Sequence, residues 1–261
     1  MALMHEVDFE IKGSDTQFVE VELDPGEAAV AEAGAMMFME DGIVMETMFG
    51  DGSAKQSGFL GSLLGAGKRL LMGESLFITV FGNQGNGKRR VAFAAPHPGR
   101  IIAVQLRDVG GTLIAQKDSF LCGAKGVSIG IALQRKLGAG FFGGEGFIMQ
   151  KLEGDGLVFL HAGGTLLERT LKPGETLRVD TGCVVAYEAG VDFDIQMQRG
   201  IKSALFSGEG LFNAVLTGPG KIWLQSMPIS RLANRLFAEV GSSKESGGGL
   251  SGLVDSFSGG D

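Results

Sequence analysis

Val19, Val21 and Leu23 alternate with Glu20 and Glu22, and Phe193, Ile195 and Met197 alternate with Asp194, Gln196 and Gln198. A period of two puts one face of a strand in a core and the other in water. Short apolar runs of this kind are punctuated by turn dipeptides at Pro25-Gly26, Pro173-Gly174 and Asp155-Gly156, the last a signal for a two-residue type I′ hairpin. Closely spaced turns without intervening helices predict antiparallel sandwiches or barrels rather than a parallel α/β sheet. One helix stands out. After Pro228, Ile229, Leu232, Ala233, Leu236, Phe237 and Val240 recur at helical spacing, with Arg231 and Arg235 off the stripe, which predicts an amphipathic helix over 229–240. Residues 241–261, GSSKESGGGLSGLVDSFSGGD, read as a flexible tail.

The same pattern occurs three times. FVEVELDPGEAAVAEAGAMMFM (Phe18–Met39) and LLERTLKPGETLRVDTGCVVAY (Leu166–Tyr187) share L-x-P-G-E and a later Gly, at Gly34 and Gly182. IIAVQLRDVGGTLIAQKDSFLC (Ile101–Cys122) fits after one inserted residue, with Ser119 in place of that Gly. Each is followed by a Gly-Glu step, at Glu74, Glu145 and Glu209, then an apolar strand, a Gly-rich turn and a second strand. Two markers in fixed order, three times over, predict a triplicated fold. The first copy carries an insert of about 13 residues relative to the others, within 50–72, that is apolar, Gly-rich and ends in Lys68-Arg69. The expected organisation is therefore three β modules, over 1–98, 99–164 and 165–228, then the helix and the tail.

Composition narrows the function classes. Gly fills 44 of 261 positions and Pro only six, without a period of three, so the glycine serves turns and not a collagen helix. Apolar residues at 44% are enough for a core. A net charge of −7 speaks against a general nucleic-acid binder, and none is expected as a partner. Cys122 and Cys183 make no disulfide framework and no zinc spacing, and read as small buried hydrophobes within apolar strands. Residues Met1–Glu10 lack the basic and apolar regions of a signal peptide, and no run is long enough to span a bilayer, so the expected location is cytoplasmic.

Four chemical motifs invite a reading. Gly82 to Lys88 matches GxxxxGK, but Arg89 stands where a P-loop needs Ser or Thr, and RVAFAA after it reads as a strand. Gly154-Asp155-Gly156 and Gly218-Pro219-Gly220 hold the same place in the other copies, so the segment is a hairpin turn. Glu74, Glu145 and Glu209 could converge on an axis and bind a cation, although accepting backbone N–H bonds at a bend is the plainer role. Lys68-Arg69, Arg135-Lys136 and Arg199 with Lys202, beside Phe59, Leu60, Leu63, Leu64, Phe141 and Phe142, would make a mixed basic and apolar contact surface suited to an anionic membrane. A solvated rim around a packed interface is the bland alternative. His97 and His161 fall at comparable places after their strands and suggest turn-capping. No acid, base and nucleophile set can be assembled.

GAMMFMEDGIV, KRLLMGESLFITVF, GEGFIMQKLEGDGLVFLHAGG and GEGLFNAVLTGPGKIWLQS carry a family resemblance. From about residue 4 to 228 the chain resembles the family named for altered inheritance of mitochondria (mitochondrial biogenesis), whose bacterial branch is known as a domain of unknown function. The resemblance implies an all-β fold of duplicated modules similar to the trp RNA-binding attenuation protein; with the three repeats, the expected fold is three antiparallel, jelly-roll-like sandwich modules around a pseudo-threefold axis. It implies inner-membrane organisation for the mitochondrial members, and it brings no catalytic residues and no cofactor. Fold likeness does not transfer RNA or tryptophan binding.

The expected function is thus that of a non-enzymatic interaction or scaffold protein, a homo-oligomer with a protein partner or the inner face of an anionic membrane as its contact. The alternative is a small-ligand-binding module with its pocket at module junctions or on the pseudo-threefold axis.

Overall fold

The computed structural model describes residues 6–49, 77–135, 146–197 and 212–242. They form nineteen strands, three short 3-10 turns and one helix. The β class expected from the alternation and the turns is what the chain adopts.

An N-terminal strand, β1 (Asp8–Lys12), is followed by eighteen strands in three successive stretches. The first contains β2 (Phe18–Leu23), β3 (Ala28–Glu32), β4 (Met36–Met39), β5 (Ile43–Phe49), β6 (Phe77–Asn83) and β7 (Arg89–Ala94). The second contains β8 (Gly99–Gln105), β9 (Thr112–Gln116), β10 (Phe120–Ala124), β11 (Ser128–Arg135), β12 (Phe147–Glu153) and β13 (Leu157–Gly163). The third contains β14 (Leu166–Leu171), β15 (Thr176–Asp180), β16 (Val184–Glu188), β17 (Asp192–Met197), β18 (Phe212–Thr217) and β19 (Gly220–Gln225).

Within each stretch the pairing is the same and antiparallel. The sixth strand lies between the first and the third, as in β2–β7–β4, β8–β13–β10 and β14–β19–β16. The fifth lies between the second and the fourth, as in β3–β6–β5, β9–β12–β11 and β15–β18–β17. Even the irregularity recurs, because the third strand bulges at Met36/Phe38, Phe120/Cys122 and Val184/Ala186. A bulge sharpens the local twist and re-aims the strand, so its position is part of the design of a sheet corner.

Two further pairings tie the stretches together. β3 pairs with β10, and β9 pairs with β16. They build two six-stranded sheets, β5-β6-β3-β10-β13-β8 and β11-β12-β9-β16-β19-β14, beside a four-stranded sheet, β1-β2-β7-β4, and a three-stranded one, β15-β18-β17.

The alternation seen in β2 is realised, with Val19, Val21 and Leu23 buried and the intervening Phe18, Glu20 and Glu22 only partly so. A central core draws on all three stretches, among them Val30, Leu106, Leu113, Leu160, Val185 and Trp223. Flanking cores surround the edge-to-face pair Phe81–Phe93 (5.2 Å) and the stack of Tyr187 on Phe193 (5.2 Å). Full burial of a ring such as Phe81 or Phe93 stabilises the fold by about 1.5–3 kcal/mol.

Four local expectations are refined. The connection at Asp155-Gly156 runs over 154–156, with its positive φ (+138°) at Gly154 and none at Gly156, so it is not a two-residue type I′ turn. Cys122 is buried in β10, but Cys183 is half-buried in the 3-10 turn Thr181–Cys183 rather than in a strand. Met197, at the end of β17, is exposed instead of buried. The helix, α1, runs over Ile229–Ser242, and Arg231 near its start lies 3.6 Å from Asp180 and 3.8 Å from the Cys183 sulfur. Its first turn is therefore anchored on its own chain.

Gly163 marks a point where only hydrogen fits. Its N–H donates to Gln225 Oε1 (2.7 Å), its carbonyl accepts from Met227 N (3.1 Å), and a Cβ there would overlap the Met227 carbonyl oxygen and come within 2.6 Å of the His97 ring. Gly163→Ala is expected to lose about 1–3 kcal/mol in urea unfolding. Gly130→Ala, where a Cβ meets nothing, should stay within about 0.5 kcal/mol. Equal effects would contradict this packing.

Candidate functional site

The residues singled out from sequence as contact or ligand candidates, Glu74, Glu145, Glu209, Phe59, Leu60, Leu63, Leu64, Lys68, Arg69, Phe141 and Phe142, lie outside the described residues. Three other features draw attention within them: an exposed apolar strand, an acid-lined cleft and a buried histidine pair.

The strand is β4. Met36, Met37, Phe38 and Met39 are 37%, 55%, 37% and 40% exposed, and Val44 and Met45 on the next strand are similarly open. Its counterparts in the pairing scheme, β10 and β16, are buried along their whole length apart from the last residue of β16. The difference follows from the neighbours, because β10 is covered by β3 and β16 by β9, whereas β4 ends its sheet. Adjoining exposed apolar side chains make this strand a candidate contact surface. The sequence offered a faint signal, since MMFM aligns with LCGA and VVAY, which are buried. An apolar run alone cannot say whether its neighbour is in the same chain.

The cleft has a volume of about 750 Å³ and is lined by Glu6, Asp8, Glu22, Asp24, Glu27 and Asp155, with Arg107, Gln105 and Leu157. Several of these carboxylates are already engaged. Lys88 holds Glu22 at 2.7 Å and Arg90 bridges Glu20 and Glu22 at 3.0 Å each, while Glu27 accepts the Asp24 N–H at 2.8 Å. Hydrogen bonds from Lys88 and then Arg90 hold the Glu22 carboxyl below its ordinary range. Arg107 reaches Glu6 at 3.4 Å. Among the described residues no three His, Cys, Asp or Glu side chains are grouped to hold a metal ion.

The histidines form a pair. His97 follows β7 and His161 lies in β13, and their rings meet edge to face with centroids 4.4 Å apart. His161 is buried, and neither its Nε2 nor His97 Nδ1 has a hydrogen-bond partner among the described residues. Burial, and then the neighbouring His97, push the His161 pKa down to about 4. Burial also lowers His97, opposed by the Pro98 backbone and Asp118. Both rings are thus neutral at pH 7, packed into the connection between the first and second stretches.

The GxxxxGK look-alike is a hairpin. β6 ends at Asn83, whose side chain accepts from Gly85 N and donates to Leu23 and Gly87 carbonyls at 2.8 Å, and β7 begins at Arg89. A strand follows where a phosphate site needs a helix N-terminus.

The model of the family described as Mitochondrial biogenesis AIM24 matches residues 9–227. The chain belongs to this family. The chain is also similar to an uncharacterized protein of Streptococcus pyogenes serotype M6, 31% identical over 221 residues, or 84% of each chain. A crystal structure of another Streptococcus pyogenes protein superposes with a TM-score of 0.70 over 90% of this chain and all of that one, at 24% identity. That likeness establishes the fold alone. No helix among the described residues of this AIM24-family chain is long and apolar enough to cross a membrane.

The histidine pair sets a pH dependence. An unfolded chain protonates His161 near its ordinary value of 6.5, whereas the folded chain does so only at about 4. The unfolded state therefore binds more protons in between, and stability falls as pH drops from about 6.5 to 4, with no further loss from this group below that. His161→Gln should show a shallower fall over that window in denaturant midpoints. Parallel pH profiles for the two chains would contradict the assignment.

Proposed function

We propose that this AIM24-family protein is a non-catalytic interaction protein and that strand β4 is its contact surface. The observation that carries this reading is the run Met36–Met39, four successive exposed apolar side chains on a strand that ends its sheet among the described residues. Methionine suits such a surface, because its unbranched, polarisable side chain adapts to a partner at little cost in shape. No cluster of polar groups in the acid-lined cleft or around the histidine pair combines a nucleophile with a base in an open pocket, which leaves the apolar strand as the better supported feature.

Membrane contact is a finer version of the same reading. It rests on the sequence around Phe59, Leu60, Lys68 and Arg69 and belongs to the segment outside the described residues.

The test is the size of the protein in fresh cell extract, after separation into membrane and soluble pools. The wild-type chain should run well above subunit mass, and Met37→Lys with Met39→Lys should return it to subunit mass with an unchanged melting temperature, since both side chains are exposed. Recovery in the membrane pool, released by salt, would support the membrane contact. Wild-type protein at subunit mass in the soluble pool would overturn the reading.

A further inference from the structure

Among the described residues, the pairing scheme leaves two strands without the neighbour that their counterparts have. In each stretch the second strand offers its outer edge to the third strand of the next, as β3 does to β10 and β9 to β16. By the same rule β15, the second strand of the third stretch, should receive the third strand of another stretch. Among the described residues, the one third strand with an open edge is β4. Yet β15 and β4 each end a sheet and do not pair with one another.

We propose that β4 of one chain pairs antiparallel with β15 of a second copy, so that copies join head to tail by the same junction that links the stretches inside each chain. The proposal rests on the interaction reading and names its partner. It treats the three stretches as copies of one module. Joining the two open edges extends β2-β7-β4 by β15-β18-β17, which reproduces the strand order of both six-stranded sheets, β8-β13-β10 with β3-β6-β5 and β14-β19-β16 with β9-β12-β11.

The register is set by the existing junctions. Gly123 faces Val30 and Tyr187 faces Ile114, and these are equivalent positions counted from the bulge on one strand and from the start of the other. The counterpart pair is Met39 opposite Arg178, which puts Phe38 opposite Val179 and Glu40 opposite Leu177. Hydrogen-bonding direction agrees. The Glu40 N–H donates inward to the Arg90 carbonyl (3.0 Å), so the Met39 N–H points to the open edge. The Gly218 N–H donates to the Glu175 carbonyl (2.9 Å), so on β15 residues 176, 178 and 180 point outward. At the β3–β10 junction, Lys125 N–H donates to the Ala28 carbonyl (3.0 Å) in the same phase.

The side chains suit a contact that is not permanent. β15 carries Thr176, Arg178 and Asp180 where β3 carries Ala28, Val30 and Glu32, so its edge stays soluble while unpaired. Arg178 would lie across Met39 and beside Glu40, whose charge it complements. A heterologous contact of this kind closes into a ring or extends as a filament, depending on the rotation between copies.

Proline tests the edges without touching the inner ladders, since Met39 and Arg178 turn their N–H groups outward. In analytical ultracentrifugation of the purified full chain, wild type should sediment as an oligomer. Met39→Pro and Arg178→Pro should each sediment at subunit mass, and their equimolar mixture should form a dimer and nothing larger, because one intact edge of each kind remains. Should proline unfold the chain, Met39→Arg sets two guanidinium groups opposite each other and should abolish assembly, and adding Arg178→Glu should restore it. Wild-type chain at subunit mass overturns the proposal, including the case in which the two edges close on each other within one chain. Assembly that survives either single variant, or a mixture that does not dimerise, overturns the pairing while leaving the interaction reading to the extract experiment.

Discussion

Backbone hydrogen bonding at strand edges is the constraint on which this fold depends. A strand has two edges, and each unpaired row of N–H and C=O groups either faces water or finds another strand. Most of the strands here are satisfied within their own stretch, by the arrangement in which the sixth strand separates the first and third and the fifth separates the second and fourth. What makes the stretches one molecule is the pairing of β3 with β10 and of β9 with β16. Those junctions bury β10 and β16 and so let the central core collect residues from all three stretches. Where the junction is missing, at β4, the same kind of apolar strand is left in solvent.

The connections between stretches are built with equal economy. Gly99 and Gly163 each sit against a carbonyl and a histidine ring that a side chain would displace. Gln17 and Gln225 repeat one device, each accepting a backbone N–H beside a connection, from Ile101 after the first and Gly163 before the second, at 2.7 Å. The two histidines fill the space between, with His97 Nδ1 and His161 Nε2 lacking a partner among the described residues, and burial lowers the pKa of both.

Much of this was legible in the chain. The alternation at Val19, Val21 and Leu23 named a half-buried strand. The L-x-P-G-E segments named its turns, and the Gly-rich turns at 82–88, 154–156 and 218–220 named hairpins, because these signals are local and act through backbone sterics and period-two burial. Partner choice between distant strands was not legible. MMFM at 36–39 and VVAY at 184–187 are alike in hydropathy, and only the neighbouring strand makes one exposed and the other buried. Cys183 read as a strand residue because an apolar run follows it, while the Asp180 side chain, which accepts the Gly182 N–H at 2.8 Å, turns the chain there into a 3-10 segment. The histidines were seen as turn residues, but their mutual contact depends on β8 and β13 lying side by side.

The central claim is that β4 and β15 are complementary edges in a defined register. It is tested most directly by disulfide trapping between two differently labelled chains, one carrying Phe38→Cys and the other Val179→Cys. These positions form a non-hydrogen-bonded pair in the proposed ladder, where Cα atoms lie about 4.5 Å apart and a disulfide can close without strain. The account predicts a cross-linked dimer whose joined peptides contain positions 38 and 179, and far less product when Met37→Cys replaces Phe38→Cys. No dimer, or equal trapping at 37 and 38, would contradict it.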